Sequence, residues 1–147
     1  RDGPVVARSR LAAAGLPLAE FALGRSRPHR RKLESKASVD PLLSRAYLAE
    51  LASLYLNGAD ARGPLVSPIN ADLAGLPPML IQVGSAETLL DDSVRLAEVA
   101  GAADVAVHLE IWPRMIHAWH LFYQDVADGR RSLASAGTFI RSHLDAP

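Results

Sequence analysis

Two short apolar runs, MLIQVG at residues 79–84 and DVAVHLEIW at residues 104–112, stand either side of one helical pattern, and that spacing leaves few architectures open. The first run is apolar at almost every position and ends in Gly84, as suits a strand buried on both faces. In the second, Val105, Val107, Leu109 and Ile111 alternate with other residues and define one face. Between them Asp91, Asp92 and Ser93 lead into VRLAEVAGAA, a helix whose acidic start complements the positive end of its dipole. Strands connected through a helix run parallel, because a parallel pair needs a crossover that a tight turn cannot supply. SLASAGTFIRSHL, residues 132–144, predicts a closing helix. Strand, helix, strand, loop, helix is the tail of a parallel α/β sheet.

Upstream, DPLLSRAYLAELASLYL predicts a further helix that starts at Asp40 and Pro41 and carries Leu42, Leu43, Tyr47, Leu51, Leu54 and Tyr55 at helical spacing. Asn57 and Gly58 stop it. Residues 58–78 are rich in turn formers and should cross the surface irregularly. Residues 11–24 are broken by Gly15 and Pro17, and RSRPHRRKLESK at 25–36 has no hydrophobic period. Residues 1–37 therefore read as an atypical, basic, poorly ordered segment, set apart from 38–147. Basic and acidic residues balance at sixteen each over the chain, yet residues 1–35 hold eight basic against three acidic. A run such as Arg25 to Lys32 could grip phosphates, but no aromatic side chain interleaves it. A solvated loop, with no nucleic-acid partner, is the expectation.

The absence of cysteine excludes disulfides, thiolate metal sites and a cysteine nucleophile within this chain. With no bilayer-length apolar run and no charged-then-apolar leader, a cytoplasmic protein is expected. The first residue, Arg1, points to a longer parent product.

In open parallel sheets functional groups gather beyond the carboxyl ends of the strands. The first strand is followed at once by Glu87 and the second by His117, which puts a carboxylate and an imidazole on neighbouring loops at one edge. A carboxylate on one ring nitrogen fixes the tautomer and leaves the other nitrogen to take a proton from a hydroxyl. The 30 positions from Glu87 to His117 hold one helix and one strand, as adjacent parallel strands require. Met115, Ile116, Trp119 and Phe122 would then exclude water and shape an acyl pocket. The same pattern also suits a hydrogen-bonded core histidine and a helix-start charge. His120 reads as a structural hydrogen-bonding group, His108 as facing solvent or an interface, and His29 and His143 as exposed. Asp91 and Asp92 compete with Glu87 as the acid, although a helix-capping role accounts for them.

The motifs SVDPLL, YL-x-G-x-D followed by PLVSP, GLPPMLIQVGSAETLLDDS and MIHAWHLF together resemble the C-terminal half of the hormone-sensitive-lipase family of α/β-hydrolases, serine carboxylesterases and lipases, from about Ser38 to Leu144. The resemblance implies an α/β fold comprising the C-terminal portion of an α/β-hydrolase, with parallel strands, crossover helices and an incomplete sheet. The family's acid, in an E-x-L-x-D-D pattern, falls on Glu87, and the histidine of M-x-H falls on His117. A small carboxylic ester as substrate and no metal or organic cofactor are implied likewise.

The family nucleophile, a serine in G-D-S-A-G behind an HGGG-type oxyanion loop, has no counterpart in the sequence. The nearest imitation centres on Ser26, but Pro28 replaces the final glycine and too few residues follow to supply the intervening helix and strand. Where the family shows an apolar strand ending in S-P-W, this chain has GRSRPHRRKLE. The chain on its own is therefore expected to be inactive, supplying acid and base only. Half a sheet also leaves edges uncovered, so a non-catalytic assembly module, self-associating through the strand 104–112, is the competing expectation.

Overall fold

The computed structural model describes residues 40–144. The basic segment 1–37, with Ser26, His29 and the run Arg25 to Lys32, lies outside the described residues. Two strands, β1 (Met79–Gly84) and β2 (Val107–Trp112), pair in parallel with Met79 opposite Val107 and Gly84 opposite Trp112. The crossover between them is a helix, Leu90–Ala102, and two more helices cover Arg45–Leu56 and Ala127–Leu144; in chain order they are α1 (Arg45–Leu56), α2 (Leu90–Ala102) and α3 (Ala127–Leu144). Short 3-10 turns stand at Pro68–Asn70 and Trp119–Phe122. This is the α/β arrangement of parallel strands with a crossover helix that the sequence implies, with two strands among the described residues.

The period of two along each strand sorts its side chains between two helical layers. Met79, Ile81 and Val107 pack with Leu96 and Ala100 of α2, and Leu73 and Val105 complete that core. On the other face Gln82 donates to the Ser132 carbonyl of α3, and Leu80 and Glu110 line a cavity against Ser135 and Phe139 of the same helix. No helix among the described residues is long and apolar enough to cross a membrane.

Three boundaries differ from expectation, each for a local reason. α1 begins at Arg45 rather than Asp40, because Ser44 takes the capping position and accepts from the Tyr47 N–H. Asp40 instead accepts from the N–H groups of Leu42 and Leu43, a turn that competes with helix. β2 starts at Val107 rather than at 104: Asp104 adopts a left-handed conformation and the Val105 N–H still bonds back to Ala100, so these residues close α2. α3 starts at Ala127, before the apolar period begins, because Gly129 lets its first turn lie against the Tyr123 backbone. The expected stop at Asn57 stands, with that residue left-handed at φ 41°.

Candidate active site

β1 ends where a side chain cannot follow. A Cβ on Gly84 would collide with the Met115 carbonyl, so the loop after β2 lies directly across the end of β1. Three hydrogen bonds hold the two loops together: Ser85 N–H to the Trp112 carbonyl (2.8 Å), Ala86 N–H to the Met115 carbonyl (3.0 Å) and Arg114 N–H to the Ser85 hydroxyl (2.8 Å). Arg114 and Ala118 bracket His117 with positive φ values of 63° and 53°, turning the loop back over the strand end.

This stitching brings Glu87 and His117 together. Glu87 is 3% exposed; its Oε2 accepts from the Gly84 N–H at 2.7 Å and its Oε1 faces His117 Nδ1 at 3.1 Å. An ionised carboxylate can only accept, so Nδ1 carries the proton and neutral His117 presents a lone pair on Nε2. Nε2 makes no hydrogen bond among the described residues, and the side chain is 31% exposed. The hydrogen bond to Glu87 raises the proton affinity of His117 above the ordinary imidazole; burial opposes it, and the negative charges of Glu87 and Asp40 add to it. An imidazole with one nitrogen anchored and the other free is equipped to take a proton from a hydroxyl placed before it.

The other candidates separate. His120 meets the Gln82 side-chain carbonyl through Nε2 at 3.0 Å, the structural hydrogen bond expected of it, and burial lowers its proton affinity. His108 has a side chain 64% exposed, as expected, and with Glu110 it lines the cavity that α3 borders. His143 is exposed in the last turn of α3. Asp91 and Asp92 sit in the first turn of α2, where the positive end of the dipole favours them, and the cap position itself is Leu89. Trp119 is buried and Phe122 exposed, with Met115 and Ile116 intermediate. Among the described residues no group of three His, Asp or Glu side chains could hold a metal ion.

Sequence reasoning missed three polar residues. Asp40, read as a helix start, is buried and binds the turn after Glu87. Gln82 and Glu110 form a hydrogen-bonded pair at 2.8 Å on the α3 side of the sheet. A polar residue inside an otherwise apolar strand was the available signal for Gln82.

A family model described as an alpha/beta hydrolase fold matches residues 8–121, beginning well upstream of the motifs. An acetyl-hydrolase of Streptomyces hygroscopicus is 48% identical over 101 residues, 69% of this chain and 34% of its own length. An esterase of Acinetobacter venetianus is 41% identical over 104 residues, 70% of this chain and 34% of its own. Among solved structures, the hormone-sensitive-lipase homologue EstE7 from a metagenome library superimposes with a TM-score of 0.78 at 40% identity, covering 86% of this chain and 42% of its own. EstE5 gives 0.76 at 43%, covering 78% and 39%. The chain spans about a third of the length of the curated relatives it matches.

Proposed function

Because the chain belongs to the hormone-sensitive-lipase family of the alpha/beta hydrolase fold, we propose that it is the C-terminal part of a serine ester hydrolase and supplies the acid and base of a Ser-Glu-His triad. The observation that carries this reading is the 3.1 Å contact between His117 Nδ1 and a buried Glu87 that the Gly84 N–H also anchors.

In the complete enzyme a serine hydroxyl from upstream attacks the carbonyl carbon of a small carboxylic ester while His117 Nε2 takes its proton. Glu87 holds the ring and stabilises the imidazolium that forms. Oxyanion donors, also upstream, receive the charge on the carbonyl oxygen. As the tetrahedral intermediate collapses, His117 returns the proton to the departing alkoxide and leaves an acyl-enzyme. Water, deprotonated by the same nitrogen, then releases the acid. The names of the relatives, an acetyl-hydrolase and an esterase, support a carboxylic ester as substrate, the first of them with a short acyl group.

Two measurements test this. The 147-residue chain alone should not turn over p-nitrophenyl butyrate, since it lacks the nucleophile motif; turnover abolished by His117→Ala would overturn that. Residues 40–144 grafted onto the upstream two-thirds of the Streptomyces hygroscopicus acetyl-hydrolase should give an active esterase that His117→Ala inactivates. Full activity in that variant would overturn the triad assignment.

A second reading, assembly through the strand at 104–112, is favoured by the outer edge of β2, which carries no strand among the described residues and exposes Ile111. A clean monomer in size-exclusion chromatography at high concentration would count against it.

A further inference from the structure

We propose that Asp40 is a positioning residue for the Glu87–His117 pair, fastening the turn that carries Glu87 to the segment before α1. The inference rests on the hydrolase reading of that pair.

Asp40 is 6% exposed, unusual for a carboxylate, and spends both oxygens locally. Oδ1 accepts from the N–H groups of Leu42 and Leu43 at 3.0 and 3.1 Å, while Oδ2 accepts from the Thr88 N–H at 2.8 Å. Thr88 follows Glu87 directly, and its hydroxyl donates to the Leu43 carbonyl at 3.1 Å. The segment before α1 is thus fastened to the catalytic turn by one hydrogen bond in each direction across 45 and 48 residues of sequence. Capping the α1 segment alone needs only Oδ1; the second oxygen is what reaches the turn.

Asp40 also favours the protonated form of His117, in addition to the direct effect of Glu87. Among the described residues the titratable groups that act with His117 are Glu87 from the turn after β1, Asp40 from the segment before α1 and His120 from the 3-10 turn. An imidazolium that forms during serine attack would therefore be held by one carboxylate in contact and a second at longer range.

The test has two arms. NMR titration of His117 in the 147-residue chain, with histidine labelled, should place its midpoint above the ordinary histidine position. Asp40→Asn should lower that midpoint, by less than Glu87→Gln does, and Asp40→Glu should restore part of it. In the grafted esterase, Asp40→Asn should lower kcat by about tenfold with KM little changed, and shift the acid limb of kcat/KM to lower pH. A His117 midpoint at the ordinary position in the unsubstituted chain, or one unmoved by Asp40→Asn, overturns the proposal. If the midpoint moves but His117→Ala leaves the grafted esterase active, the coupling stands and the hydrolase reading falls.

Discussion

Two glutamate and histidine arrangements share the same pair of strands and treat their imidazoles in opposite ways. At the rim, His117 touches Glu87 directly and its proton affinity rises. On the α3 side of the sheet, His120 reaches a carboxylate only through Gln82, and its proton affinity falls under burial. The amide makes the difference. Gln82 spends its two N–H bonds on Glu110 (2.8 Å) and the Ser132 carbonyl (2.9 Å), so its own oxygen is left for His120. That oxygen offers a dipole rather than a charge, too little to offset the desolvation of an imidazolium. Glu110, meanwhile, is pushed up by burial but held below the ordinary carboxylate range by hydrogen bonds from Ser135, Gln82 and Trp112. The lesson is that an acid within a few ångströms of a histidine says little until the atom between them is known.

The largest expected effect separates the two arrangements by activity. In the grafted esterase Glu87→Ala should lower kcat by about 10³- to 10⁴-fold, the loss seen when a triad histidine is no longer held in its tautomer. His120→Asn, which keeps a donor for Gln82, should cost about fivefold or less, near the value of one neutral hydrogen bond. Comparable losses from the two variants would erase the distinction.

Next in size is the backbone beneath each arrangement. Gly84 lies under the Met115 carbonyl, and Gly129 approaches the Tyr123 Cα at 2.9 Å from a Cβ position. Gly84→Ala should destabilise the chain by about 3 kcal/mol, since backbone cannot yield cheaply. At Gly129 the approach is less close and the helix preference for alanine offsets about 1 kcal/mol of the clash, so Gly129→Ala should cost less. Urea midpoints of the two variants check the order.

Smaller again is the removal of the amide spacer. Gln82→Glu would set a carboxylate against His120 and, on its other side, against Glu110. The His120 titration should rise relative to the unsubstituted chain, and stability should fall by about 2 kcal/mol near neutral pH from the crowded carboxylates. An unmoved His120 midpoint would show that burial, not the amide, governs it.

Much of this contrast was visible in the sequence at the rim and little of it inside. Glu87 and His117 follow strand ends that apolar runs mark plainly, and one helix plus one strand between them brings the two loops to the same edge. The inner arrangement depends on side-chain partners across 28, 38 and 50 residues, which no local period encodes. Asp40 was misread for a related reason: aspartate followed by proline is a helix-start signal, and only the Thr88 contact shows the second oxygen at work. The early start of α3 was hidden because its first turn is charged and carries Gly129 rather than apolar residues.

The smallest effect is the pH dependence of stability, where the two histidines should pull against each other. The affinity of His117 is raised in the folded chain, so its contribution is complete below the unfolded histidine value of about 6.5 and is lost as pH climbs through the folded value. His120 is lowered, so its contribution is complete above about 6.5 and is lost as pH falls through the folded value. Both rings are partly exposed, and solvent screening keeps each change at or below about 1 kcal/mol. Urea midpoints measured from pH 5 to 9 should therefore flatten on the alkaline side in His117→Ala and on the acid side in His120→Ala. The same flattening on the same side in both variants would mean that the two imidazoles titrate as one coupled group.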